Sequence, residues 1–509
     1  MKQKIKILTL LTAITFTTAS CVKDWLDVMP RTMQPAETMF DSYQGYRDAL
    51  IGCYIKMKSR DLWGEQLTIT TVEYLAQHWE IAGNSDRADV FKRHDYEDLN
   101  AMRSFQRIYD GLYNVIVQAN SILEALPLTG ETAIPDVAAR SVVAGEAHAI
   151  RAMCHFEILR IFGQIPVGGS INVRLPYSKT VSHESVLYYD YANFVGMIEE
   201  DMEKALELLG EYDPFVTLTV TQVGNGSYAS GTAVIDDFLR FRQLRLNFWA
   251  VKALQARFYL YIGETQKAHA AAMDVINVSV EKEFGITDQR QNEDLTSSLY
   301  ALPSEGLFLL SNHQLSDYIG QLVNGPISPY ANHHLSTERM EGGELEYGLF
   351  SGEIGTTNNR VRLEPSGIWS RKTTSDGYVV YEPLKYDQSS VSGTGSSLDL
   401  MCKKQIMPML RLSELYLIAM ETTNDLTLIN SLYGTYWRAR DLIPTILFED
   451  KHDVLEMIER EFRCEFFAEG QMFFFYKRKK ANRMVWSNKQ IAETDYIVPL
   501  PKTEFDPNR

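Results

Sequence analysis

The stretch "GEAHAIRAMCHFEILRIFGQIPV", residues 145–167, carries apolar side chains at helical spacing. With Val143 just ahead of it, Ala147, Ile150, Cys154, Ile158 and Ile161 step by three or four positions, the stripe that one buried helix presents to its neighbours. Gly163 and Pro166 end that helix, because glycine favours the exit turn and proline cannot continue it. His148, Arg151 and His155 share another face of the same helix. Two histidines seven apart, outside an HExxH arrangement, do not spell a zinc site, so this face reads as polar packing inside a scaffold.

Working outward, "NFWAVKALQARFYLYIGETQKAHAAAMDVIN" (247–277) reads as two short helices around Gly263. Its small and aromatic residues, Ala256, Tyr259, Gly263, Ala268 and Ala272, follow a spacing similar to a tetratricopeptide repeat, in which small side chains let two helices pack closely. "PMLRLSELYLIAMETT" (408–423) and "LINSLYGTYWRARDL" (428–442) read as a second, less regular helical pair. A further helix starts near Tyr43. Between about 281 and 400 the composition shifts to Gly, Ser, Thr and Asn with interleaved aromatics, as in "GEIGTTNNRVRLEPSG". Long loops carried on a rigid helical frame serve as binding surface.

The chain opens with Lys2, Lys4 and Lys6, an apolar run from Ile7 to Ala19, and the small residues Ala19 and Ser20 before Cys21. That run is shorter than the ~20 residues a membrane-spanning helix needs. The order is that of a signal peptide (1–20), and a cysteine directly after it is similar to a bacterial lipobox, which leaves Cys21 as a lipidated N-terminus. Of 509 residues, 45% are hydrophobic and 23% charged, an ordinary globular composition. The net charge of −16 falls to −19 once the three leader lysines leave, which argues against nucleic acid as partner. Cys53, Cys154, Cys402 and Cys464 are scattered without a CxxC pair, so they read as buried free thiols rather than a metal or disulfide framework.

These stretches together resemble the SusD/RagB family of nutrient-binding outer-membrane lipoproteins. "DWLDVMP" (24–30) with "FDSYQGYRDALIGCY" (40–54) is similar to that family's opening. Residues 145–167 resemble its most recognisable helix, with Arg151, Ala152, Phe162, Gly163 and Pro166 at matching places. "RLSELYLIAMET", "WRARDLIP", "EREFRCEFFAEGQMFFFYKR" and "YIVPLPKTEFDPN" follow in the family's order. Phe462, Met472 and Phe475 depart from it, standing where two arginines and an aspartate are usual.

The resemblance implies a mostly α-helical fold, a tetratricopeptide-like helical-repeat scaffold with long loop insertions (a SusD-like α/α superhelix). It implies one domain over 21–509, with repeat helices to about 280, a loop-rich ligand region at 281–400 and a helical part from 401. It also implies a lipid-anchored lid on a SusC-like TonB-dependent β-barrel transporter at the surface of a Bacteroidetes-type bacterium, taking up oligo- or polysaccharide.

No catalytic constellation stands out. "GNGSYASG" (224–231) lacks a phosphate loop's lysine, and the histidines at 333 and 334 have no completing ligands nearby. The residues leave calcium open. Glu461, Arg463, Glu465, Glu469 and Arg478 read as a charged cluster tying the last helices to the scaffold. A sugar ring offers flat C–H faces on which an aromatic ring stacks while polar groups hold the hydroxyls. Trp249 and Trp437 fall inside helical patterns and belong to the core. Trp63 and Trp79 flank the polar stretch that occupies the family's ligand-loop region. The expected site is Trp79 as stacking platform with His78, Asn84 and Asp86 as polar neighbours, joined by Trp63 and by Trp369, Tyr330 and Tyr381 of the inserted loops, where Tyr378 also sits. Two other readings stay open: capture of peptides, as RagB-type members do, and a helical polysaccharide-degrading enzyme, which needs a pair of carboxylates across a cleft.

Overall fold

The computed structural model describes residues 36–505 apart from 82–85, 131, 183–186, 225–232, 288–293, 296–298, 316–317, 319–321, 323–332, 342–347, 351–367, 374–376, 387–404, 441, 443 and 445–446. Helices α1 (Tyr43–Met57), α2 (Leu99–Ala125), α3 (Val137–Phe162) and α4 (Tyr191–Tyr212) build the N-terminal half. α5 (Phe248–Ile262), α6 (Thr265–Ser279), α7 (Leu412–Thr422), α8 (Leu426–Arg438), α9 (Lys451–Glu465) and α10 (Met472–Arg478) follow. α1 packs on α2, α3 on α4, α5 on α6 and α7 on α8, and successive pairs touch through α2–α3, α4–α5 and α6–α7. This is the tetratricopeptide-like stacking the sequence suggests, each pair burying a face its neighbour completes.

Local chemistry sets the helix ends. Asp136 accepts from the N–H groups of Ala138 and Ala139 to start α3, and Asn247 accepts from Ala250 N–H to start α5. Gly263 sits at φ +88 between α5 and α6, a left-handed turn that glycine enters without a Cβ penalty. Ala256, Ala268 and Ala272 are fully buried where the two helices meet.

α3 is enclosed on nearly every side, so its polar groups need partners inside the core. Arg151 grips the Asp201 carboxylate of α4 with two donors at 2.8 and 2.6 Å, and His148 (3.0 Å) and the Tyr177 hydroxyl (2.6 Å) reach the same group. Burial pushes the Asp201 pKa up, but these hydrogen bonds and the guanidinium charge outweigh it and hold the carboxyl well below the usual range. His155 stacks on Tyr177 with ring centroids 3.6 Å apart, and its two nitrogens meet Arg151 O and Ser178 N–H. Such a ring is neutral, and burial pulls its pKa down to about 3. His94 is pulled down to about 4, mainly by burial and then by Lys489.

A pH dependence follows. Between the ordinary value near 6.5 and these folded values, the unfolded chain binds protons that the folded chain refuses, so stability falls as pH falls. The loss approaches ~1.4 kcal/mol per pH unit for each histidine. Urea unfolding at pH 7, 6 and 5 should show a declining midpoint, and His155→Phe should flatten the decline. A midpoint unchanged over that range would contradict the neutral buried rings.

Strands are short: β1 (Glu80–Ile81), β2 (Leu175–Pro176), β3 (Tyr188–Tyr189), β4 (Gly306–Ser311), β5 (His333–Ser336), β6 (Trp369–Thr373), β7 (Val379–Pro383) and β8 (Ile406–Arg411). β8 corrects the expected helix over 408–411: these residues pair antiparallel with β4, from Gly306↔Arg411 to Ser311↔Ile406. A buried run of five apolar residues ending in Arg411 carries no periodicity that separates strand from helix. β2 pairs with β3, and the remaining strands form one sheet in the order β1-β5-β7-β6.

Of the expected C-terminal charged cluster, Glu465 and Glu469 lie at the end of β8, whereas Arg463 pairs with Glu459 of its own helix (2.8 Å) and Glu461 accepts from the Tyr436 hydroxyl (3.1 Å). Arg411, almost fully buried, reaches Glu305 (2.9 Å), Glu465 (2.8 Å) and Glu469 (2.8 Å). Arg440 joins Glu465 (3.1 Å) and Lys385 joins Glu469 (2.7 Å). Arg478 clamps Glu421 with two 2.7 Å bonds. The Phe462 and Phe475 rings pack 5.1 Å apart and Met472 is buried, so apolar packing holds this corner.

Candidate functional site

The four-stranded sheet gathers the segments that sequence reading singles out. β1 follows Trp79 directly, and β5, β6 and β7 come from the loop-rich region, joined by Glu80↔His334, Leu335↔Tyr381 and Arg371↔Tyr381. Strand alternation places Trp369, Tyr381 and Leu335 on its inner face. Under the sheet lies Phe467. Trp79 meets its ring edge-on at 4.8 Å, Trp369 at 4.9 Å, and His78 stacks on it at 4.9 Å.

This arrangement corrects the expected stacking platform. Trp79 is 0% exposed and donates its indole N–H to Ile69 O at 2.7 Å, which leaves no ring face for a sugar. Trp63, Trp369 and Tyr381 are buried as well. His78 is buried beside Glu73, with 2.5 Å between Nδ1 and the carboxylate. Trp79, His78 and Trp369 shape the floor of the sheet around Phe467, and Trp63 is core. Asn84 and Tyr330 lie outside the described residues, as do Cys21 and the side chain of Asp86, the first residue of the short helix Asp86–Lys92.

Groups that a ligand could touch lie at one end of the same sheet. Tyr378, at the start of β7 next to the left-handed turn at Gly377, is 73% exposed. The short helix Thr337–Glu341 follows β5 at that end and packs against β7. Its Arg339 lies 3.3 Å from the Glu80 carboxylate, donates to Gln77 O at 3.0 Å, and holds its guanidinium over the Trp486 ring, 5.1 Å from the centroid. Glu80 also accepts from the N–H and hydroxyl of Ser336. Half-buried Lys92 stands nearby, its pKa lowered by burial and then by the Arg339 charge.

Trp486 is the tryptophan that sequence reading missed. It is partly exposed, its ring lies edge-on to His78 at 6.2 Å, and its backbone sits at φ +65. A bulky residue in the left-handed region costs ~1–3 kcal/mol, and such strain gathers at ligand clamps. Its one sequence signal is position: an aromatic in the polar, turn-rich stretch "NRMVWSNKQ" (482–490), away from any helical stripe.

The remaining chemistry is structural. Cys53, Cys154 and Cys464 are buried free thiols, as expected, and Cys402 lies outside the described residues. Among the described residues, no group of His, Cys, Asp or Glu is arranged to hold a metal, and no helix is long and apolar enough to cross a membrane.

Comparison with known proteins agrees with this architecture. Residues 24–230 match the family model described as "Starch-binding associating with outer membrane", and residues 330–508 match that of the SusD family. SusD-like protein P2 of Formosa agariphila is 22% identical over 94% of both chains. A SusD superfamily crystal structure from Bacteroides thetaiotaomicron superposes with a TM-score of 0.66 at 19% identity, covering 92% of this chain and 98% of that one. A laminarin-binding SusD-like protein superposes with a TM-score of 0.55 at 18% identity, covering 91% and 97%. With its stacked helix pairs, its gathered loops and two family models spanning both ends, the chain belongs to the SusD/RagB family.

Proposed function

We propose that this chain is a non-catalytic glycan-binding lipoprotein of the bacterial cell surface. In this reading Cys21 carries the lipid anchor, and one domain over 21–509 captures oligo- or polysaccharide and passes it to a SusC-like TonB-dependent outer-membrane transporter. Family membership and a neighbour described as laminarin-binding support the ligand class. The observation that carries the site is the Arg339–Glu80 pair beside partly exposed Trp486, at the sheet end where exposed Tyr378 precedes β7. Aromatic rings take the apolar faces of a sugar, and the guanidinium–carboxylate pair offers donors and acceptors to its hydroxyls.

The test is calorimetric titration of the lipid-free chain, from Val22 onward, with a panel of polysaccharides and defined oligosaccharides. Tyr378→Ala and Trp486→Ala should each weaken the best ligand about tenfold, worth ~1.4 kcal/mol. Tyr378→Ala should leave the unfolding midpoint in place, because its ring is mostly in solvent. Binding that both variants retain would move the site elsewhere on the loops, and binding of peptides alone would move the function to peptide capture.

A further inference from the structure

A cavity of about 500 Å³ opens between the first turns of α2 and the C-terminal segment 498–503, and none of its lining belongs to the sheet-end surface. Its walls are Leu99, Met102, Phe105, Val498, Leu500 and Pro501. Leu99, 63% exposed, stands at the mouth of the hollow. Gln106 and Thr503, two polar side chains in the lining, bond to each other at 2.6 Å and so offer little to a neutral sugar. The rim is basic on an otherwise acidic protein: Arg103, Arg107 and Lys502 face a single carboxylate, Glu97. Arg107 is drawn to Asp61 at 3.4 Å, whereas Arg103 and Lys502 have no carboxylate within ion-pair distance among the described residues.

We propose that this cavity is a second binding site, taking an amphipathic anion whose apolar body fills the slot and whose carboxylate or phosphate meets Arg103 and Lys502. The volume lies within the roughly 300–1,000 Å³ of small-molecule pockets. The apolar walls select a hydrocarbon or aromatic body, and Arg103 and Lys502 select the charge. The same chemistry could be presented by a free amphiphile or by an anionic membrane lipid. This site is independent of the glycan reading.

The experiment uses the lipid-free chain with ¹³C-methyl methionine, the Met102 signal being assigned through Met102→Leu. Decanoate and decyl phosphate should shift that signal saturably, and 1-decanol, which lacks the charge, should bind at least tenfold more weakly. Arg103→Gln combined with Lys502→Gln should weaken decanoate at least tenfold, and so should Leu99→Glu at the solvent-exposed mouth. Glycan affinity should stay unchanged in these variants. Co-sedimentation with phosphatidylglycerol vesicles, lost in the double variant, would identify the source as lipid; no co-sedimentation alongside decanoate binding would identify a free amphiphile. An unmoved Met102 signal, or equal affinity for decanoate and decanol, would overturn the proposal while leaving the glycan reading intact.

Discussion

Trp79→Ala should destabilise the protein by about 3–5 kcal/mol, the range for truncating a large buried aromatic. The side chain is fully enclosed, its indole N–H is paired with Ile69 O, and its ring is one of three packed around Phe467. Truncation opens a cavity directly under β1 and leaves the Ile69 carbonyl short of a partner. The loss should appear as a lower urea midpoint with an unchanged slope. Where the variant remains folded, glycan affinity should change far less than in Tyr378→Ala. A folded, fully stable Trp79→Ala with lost binding would restore this ring as a ligand platform.

Arg411→Met should cost a similar 3–5 kcal/mol, because removing one member of a buried charge network leaves its partners uncompensated. Arg411 sits among Glu305, Glu465 and Glu469, and once it is gone Arg440 still meets Glu465 and Lys385 still meets Glu469 while Glu305 loses its arginine. Burial pulls the Arg411 pKa down, yet the three carboxylates raise it well above its ordinary value, so the guanidinium stays charged throughout the working range. Methionine of similar length fills the space without the charge, which separates electrostatics from packing. Replacing Arg411 and Glu469 together should recover part of the loss, since the surplus charge falls by one. A single variant as stable as the parent would show that the network contributes no net stability.

Helices α3, α5 and α6 were legible because their signal is local, whereas α2 and α4 went unread. The 3.6-residue stripe of α3, the Gly263 turn and the small residues between α5 and α6 are written in consecutive positions. β8 was not, since five buried apolar residues followed by Arg411 suit either element until β4 arrives to pair with them. The site was legible by segment and not by side chain. Polar stretches with aromatics pointed to the regions around 79 and 369–381, and the sheet joins these regions. Which ring faces solvent depends on Phe467, far along the chain, and on strand alternation across paired partners, neither of which a single segment encodes. Tyr378 and Trp486 stand out only once their exposure and backbone geometry are known.

The central claim is that this chain captures glycan at the sheet end carrying Tyr378, Trp486 and Arg339. One measurement addresses it directly: calorimetric titration of the lipid-free chain and of Tyr378→Ala with the same oligosaccharide, with product analysis of the mixture by mass. Saturable binding without cleavage, weakened about tenfold in the variant at an unchanged unfolding midpoint, is the predicted result. No glycan bound anywhere in the panel, or a cleaved product, would contradict it.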